Sequence, residues 1–188
     1  DTNYYNTLFN SSVKFYDTAS LNPITPNLSE NLQYLHQFLM HINARSLSKN
    51  INNITTELSM LKNKPSIIRI SETWAKTDDD NFPIPWYTFI HKARTAKTGG
   101  GVGFYIQDKI EQKYKLRPDL SIDEISDSLF LQIMNAKNKS VIIGVIYKPP
   151  DTDVLKFNEN IDCILKIITK ERKPCYIMGD FNINLLKH

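Results

Sequence analysis

Seven short apolar runs, separated by turn residues and by only two long amphipathic segments, constrain this chain more than any other feature of it. "LMHIN" (39–43), "SIIRISE" (66–72), "WYTFIHKA" (86–93), "GGVGFYIQ" (100–107), "SLFLQIM" (128–134), "SVIIGVIY" (140–147) and "CYIMGDFN" (175–182) have the length and side-chain character of strands. The first amphipathic segment, "SKNINNITTELSMLKN" (48–63), sets Ile51, Ile54, Leu58 and Leu61 at helical spacing, with Ser46 or Ser48 near its start as a cap. The second, "DTDVLKFNENIDCILKIITKE" (151–171), opens on good N-cap residues, sets Phe157, Ile161, Ile164, Leu165 and Ile168 on one face, and is closed by Pro174. The turn residues of "NAKNK" join 128–134 to 140–147 as a hairpin, and a basic, Gly-rich turn separates 86–93 from 100–107. Hairpins with only two crossing helices predict an α/β layered sandwich of mixed, largely antiparallel sheets rather than a doubly wound parallel sheet. Residues 1–35 are rich in Asn, Ser, Thr and Tyr, carry Pro23 and Pro26, and read as a linker or extended arm, which leaves 36–188 for the domain.

At 188 residues and 41% apolar content the chain can bury one substantial core. Its 23 basic and 20 acidic residues are too evenly balanced for a polycation, so nucleic acid is permitted but not demonstrated. Two cysteines, Cys163 and Cys175, without a CxxC pair suggest neither a disulfide framework nor a cysteine zinc site, and fit a reducing compartment. The longest apolar stretch, "VIIGVIY", is far short of a bilayer span, and "DTNYYNTLFN" lacks the regions of a signal peptide, so an intracellular location is expected. The first residue is not Met, and with the abrupt end this reads as a piece of a longer polypeptide.

Residues two apart on a strand share a face. Leu39 and His41 lead to Asn43, Ile68 and Ile70 to Glu72, Ile143 and Val145 to Tyr147, and Tyr176 and Met178 to Asp180, with Asn182 two further on. Each apolar face thus finishes in a group able to bind a metal or a phosphate. Taken singly these residues have ordinary readings: a solvated Glu72, a turn at Asp180 and Asn182, a helix-capping Asn43, a core-edge Tyr147, a satisfied core His41. Taken together, carboxylates that are costly to bury without a partner suit Mg²⁺, which prefers oxygen ligands and uses one or two carboxylates alongside water and substrate phosphate.

"HINARSL" (41–47), "SETW" (71–74), "GGGVGFYI" (99–106), "IYKPP" (146–150) and "GDFN" (179–182) resemble, in order and spacing, the motifs of the endonuclease/exonuclease/phosphatase superfamily, the DNase I-like fold. More narrowly, the chain is similar to the endonuclease domain of non-LTR (LINE-like) retrotransposon polyproteins, over roughly residues 36–188. The resemblance implies a Mg²⁺-dependent DNA-nicking hydrolase, with Mn²⁺ as the alternative ion, acting in the nucleus beside a reverse transcriptase domain of the same polyprotein. Glu72 would ligate the metal with Asn43 beside it, Tyr147 would contact the scissile phosphate, Asp180 would activate the attacking water, and Asn182 would bind phosphate oxygens. Trp74, Arg45 and the basic loop with Lys92, Arg94 and Lys97 would lie against DNA, although that loop also reads as a solvated hairpin tip. Ala44 stands where the family tends to have a larger apolar residue.

Family members continue past "GDFN" to an Asp and a Ser-Asp-His segment, which "INLLKH" does not supply. The resemblance therefore implies an incomplete catalytic set, an unpaired sheet edge and weak or absent activity in this 188-residue chain. Two other readings compete: a catalytically dead remnant or nucleic-acid-binding module, and another phosphoesterase of the same superfamily.

Overall fold

The computed structural model of the chain describes residues 14–15, 39–94, 99–109, 113–122, 125–134 and 140–183. The described elements run β1 (Lys14–Phe15), β2 (Leu39–Asn43), α1 (Leu47–Met60), β3 (Ile67–Ser71), β4 (Tyr87–Lys92), β5 (Val102–Gln107), β6 (Lys113–Leu116), β7 (Asp127–Met134), β8 (Ser140–Tyr147), α2 (Val154–Glu171) and β9 (Cys175–Asp180). They make two mixed sheets, ordered β1-β2-β3-β5-β4 and β6-β7-β8-β9.

The apolar alternation decides how these sheets stack. Ile67, Val102, Phe104 and Ile106 of the first sheet pack against Leu131, Ile133, Val141, Ile143 and Val145 of the second, which forms the central layer. The opposite face of the first sheet, with Met40, Ile42, Ile68, Ile70 and Tyr105, is covered by Leu47, Ile54 and Leu58 of α1. The opposite face of the second, with Phe130, Ile142 and Ile146, is covered by Phe157, Ile164 and Ile168 of α2. The result is helix, sheet, sheet, helix: the α/β layered sandwich anticipated from the hairpins and the two crossing helices. Asp153 caps α2, its Oδ1 accepting from the amides of Leu155 at 2.7 Å and Lys156 at 3.2 Å.

Some details depart from the pattern in the sequence. Leu165 does not join the α2 contact face but is 44% exposed, because the buried stripe runs through Phe157, Ile164 and Ile168 with Ile161 beside it. β6 had no signal, since Tyr114, Lys115 and Leu116 are all exposed and an edge strand without a buried face shows no alternation. In the segment read as an arm, Lys14 and Phe15 pair antiparallel with His41 and Met40. The turn at 135–139 lies outside the described residues, but the strands flanking it pair antiparallel from Met134↔Ser140 to Asp127↔Tyr147.

Each sheet contains one parallel pair joined by a helix: β2-α1-β3 in the first and β8-α2-β9 in the second. Parallel neighbours finish together, so Asn43 lies beside Ser71 and Tyr147 beside Asp180. Gly179 permits the second of these alignments, for a Cβ there would lie 1.7 Å from the Ile146 carbonyl oxygen.

One layer below this end, two titratable side chains sit within the otherwise apolar interior. His41 and Arg69 are register partners and both are buried; none of the guanidinium nitrogens of Arg69 has a hydrogen-bond partner among the described residues, while His41 Nε2 lies 3.2 Å from Ser71 Oγ. Burial, with the Arg69 charge adding to it, holds His41 down at about 4, against an ordinary 6.5. The unfolded chain therefore binds the proton that the folded chain refuses, and stability falls as pH drops from 6.5 toward 4. This one group is expected to remove about 3 kcal/mol over that window. Urea unfolding across the range checks this: His41→Gln should flatten the slope, and an unchanged slope would assign acid sensitivity elsewhere.

Candidate active site at the carboxyl ends of two parallel strand pairs

The site is assembled by backbone hydrogen bonds that extend the first sheet past its last regular residues. Ala44 donates to Ser71 O at 2.8 Å, Ser46 to Glu72 O at 2.9 Å and Leu47 to Thr73 O at 2.9 Å. On the other side Thr73 donates to Gly101 O at 3.2 Å and Trp74 to Gly100 O at 2.9 Å. Segment 71–74 is thereby held between 44–47 and 100–101.

Within it the backbone is strained. Arg45, Ser46, Glu72 and Trp74 all have positive φ, at 44°, 87°, 54° and 53°, a conformation that costs an ordinary residue about 1 kcal/mol. At Glu72 the strain has a visible result. Strict alternation puts this side chain with Ile68 and Ile70 on the face covered by α1, opposite Asn43; the left-handed residue breaks the alternation. The Glu72 carboxylate instead accepts from Asn43 Nδ2 at 2.7 Å. Clusters of such strain are typical of functional sites.

Asn43 Nδ2 also donates to Asp180 Oδ2 at 2.9 Å, which joins the two sheets across 137 positions of sequence. The second Asp180 oxygen accepts from the Asn182 amide at 3.1 Å, and Asn43 Oδ1 from the Arg45 amide at 3.2 Å. Tyr147 lies beside them, buried, its phenol pushed up by desolvation first and then by the Glu72 and Asp180 charges, with Arg94 opposing and Asp127 reinforcing the shift. It therefore stays a hydroxyl donor at neutral pH. The Asn182 side chain donates to Lys148 O at 2.8 Å, fixing the turn after β9, and has a second N–H to offer.

Asn43, Glu72, Tyr147, Asp180 and Asn182 thus occupy one end of the sandwich. Two carboxylates from different sheets converge on one amide, a donor set of oxygen type that fits a hard divalent cation. No group of three or more His, Cys, Asp or Glu able to hold a metal occurs among the described residues, so these supply at most two carboxylates, within what Mg²⁺ accepts when water and phosphate complete its shell.

The residues expected to meet DNA divide. Arg45 is exposed, and Trp74 is 39% exposed with Lys49 Nζ 6.0 Å from its ring, both on the rim beside Asn43 and Glu72. Lys92 Nζ donates to Ser121 Oγ at 3.0 Å, and Arg94 faces Asp127 at 3.7 Å, so both have intramolecular partners. Lys97 lies outside the described residues. Sequence reasoning missed Asp127 and Lys49. In "DEISDS" nothing separates Asp127 from its acidic neighbours, and Lys49 has no feature beyond its place two residues into α1.

No protein-family model and no curated protein matches the sequence. Solved structures do match in fold. An endonuclease/exonuclease/phosphatase family protein from Bacteroides thetaiotaomicron superposes with a TM-score of 0.57 at 14% identity, over 80% of this chain and 64% of that one. An AP endonuclease from Archaeoglobus fulgidus gives 0.53 at 15% identity, covering 77% and 57%, and the catalytic domain of human Nocturnin gives 0.53 at 14%, covering 78% and 64%. The chain therefore has the layered α/β fold of DNase I-like proteins, and its matched part spans 57% to 64% of the length of these three.

Proposed function

We propose that this end of the sandwich is a divalent-metal-dependent phosphodiester hydrolysis site, and that the chain is a DNA-nicking endonuclease domain of the kind found in non-LTR retrotransposon polyproteins. The observation that carries the reading is Asn43, which gathers Glu72 from one sheet and Asp180 from the other at 2.7 and 2.9 Å. Solvated strand-end residues have no reason to converge in this way. The names of the matched structures, an AP endonuclease and an endonuclease/exonuclease/phosphatase family protein, agree with a hydrolase acting on phosphoesters. The narrower assignment rests on the five sequence motifs, and with it come Mg²⁺ or Mn²⁺, DNA as substrate, a reverse transcriptase domain as covalent partner, and nuclear action.

When bound, the cation offsets the negative charge that develops on the phosphate and the leaving oxygen. Glu72 would hold it, with Asn43 fixing the carboxylate. Asp180 orients and deprotonates the attacking water from a position set by the Asn43 and Asn182 amides. Tyr147 donates its hydroxyl to the scissile phosphate, and the second N–H of Asn182 donates to a phosphate oxygen as charge builds. Arg45 and Trp74 on the rim contact the DNA backbone, and the resemblance adds Lys92, Arg94 and Lys97 as further contacts.

A second reading, a phosphoesterase for smaller substrates, is favoured by the intramolecular partners of Lys92 and Arg94, which draw cations away from a long polyanion. A substrate panel separates the two. With Mg²⁺, supercoiled plasmid should be nicked in preference to abasic duplex, 3′-phosphate ends and inositol phosphates. Preference for any of the last three would replace the endonuclease reading, and binding of DNA without cleavage of any substrate would favour the inert remnant.

A further inference from the structure

Asp127 opens β7 directly opposite Tyr147 and has no role in the reading above. Its Oδ2 accepts from the Gly101 amide at 2.8 Å and its Oδ1 faces Arg94 Nε at 3.7 Å, with side chains only 14% and 17% exposed. Gly101 in turn accepts from the Thr73 amide, and Gly100 from the Trp74 amide, at 3.2 and 2.9 Å. The carboxylate is therefore connected through one glycine to the strained segment that carries Glu72. Both glycines are required for this approach. Their φ values are 76° and 81°, and a Cβ on Gly100 would lie 2.4 Å from Asp127 Oδ2, one on Gly101 2.3 Å from Thr73 Oγ1.

We propose that Asp127 is a positioning residue for the site: from the second sheet it clamps the Gly100–Gly101 turn of the first, and so holds Glu72 in the left-handed conformation that turns its carboxylate toward Asn43. Arg94 completes the clamp by facing the Asp127 carboxylate with its guanidinium at 3.7 Å. Without it, segment 72–74 is free to relax toward ordinary strand geometry, which carries Glu72 to the face covered by α1. The inference rests on the reading of Glu72 as the metal ligand and adds a residue that touches neither metal nor substrate.

The test is a comparison of the parent chain with Asp127→Ala and Asp127→Asn, each confirmed folded, by calorimetric titration with Mn²⁺ and by amide hydrogen exchange at Thr73 and Trp74. Removing an outer residue that orients a ligand typically weakens metal binding by about 10- to 100-fold, and Asp127→Ala should do so while exchange at both amides accelerates. Asp127→Asn keeps an oxygen for the Gly101 amide and should restore most of both properties, a rescue that general destabilisation would not produce. If Asp127→Ala does not fold, Asp127→Ser, which withdraws the acceptor with less loss of polarity, carries the same comparison. Unchanged exchange and Mn²⁺ affinity in a folded variant would overturn the proposal. If the parent chain binds no Mn²⁺, the metal reading of Glu72 fails by itself. The exchange measurement then still decides: acceleration upholds the clamp, and its absence overturns it.

Discussion

Asp180→Asn is expected to lower single-turnover nicking about 1,000-fold, the scale of a lost general base. The substitution preserves shape and removes two things. The negative charge that takes up the water proton is gone, and so is one of two acceptors. In the native site one Asp180 oxygen serves the Asn43 amide and the other the Asn182 backbone amide. A carboxamide has a single oxygen for those two donors, so one is left facing an N–H. A loss smaller than about tenfold would remove Asp180 from the role of base and leave it as a structural acceptor.

The second large effect is on folding. Gly179→Ala is expected to destabilise the domain by about 3 kcal/mol, read as a lower midpoint in urea. The added Cβ would meet the carbonyl oxygen, carbonyl carbon and nitrogen of Ile146 at 1.7, 2.7 and 2.9 Å, all of them backbone atoms that cannot rotate away. β9 must then separate from β8, and the parallel register that aligns Tyr147 with Asp180 goes with it. Activity in any folded fraction should fall further than stability. An unchanged midpoint would mean that the two strands do not approach as described.

The architecture was legible because its signals are local. The apolar runs became strands with bounds close to those expected, and the two amphipathic segments became the two covering helices, since periodicity and burial are the same fact seen in one and three dimensions. What escaped was whatever lacked periodicity. β6 exposes Tyr114, Lys115 and Leu116 alike, and β1 is two residues long.

The convergence of Asn43, Tyr147 and Asp180 on one end of the sandwich was legible from alternation along straight strands. Glu72 was found by the same rule, although the rule places it on the wrong face; the left-handed backbone that corrects this has no signature in "SETW". Asp127 was invisible because its meaning comes from Gly101, 26 positions earlier, and from pairing across sheets. Arg69 is the opposite case. Its charge in the middle of "SIIRISE" looks compatible with a half-exposed strand, yet the residue is wholly buried and its guanidinium has no hydrogen-bond partner among the described residues. Burial draws its guanidinium down to about 9. An alternation pattern shows which face a residue takes, not whether a second sheet covers that face.

The central claim is that the carboxyl ends of the two parallel strand pairs form a metal-dependent phosphodiester hydrolysis site with Glu72 as ligand. Plasmid nicking tests it most directly, run with Mg²⁺ present or chelated on this 188-residue chain beside Glu72→Ala. The account predicts Mg²⁺-dependent nicking, however slow, that is lost when Glu72 is replaced. A folded chain that leaves the plasmid intact, or one that nicks equally well without Glu72, would contradict it.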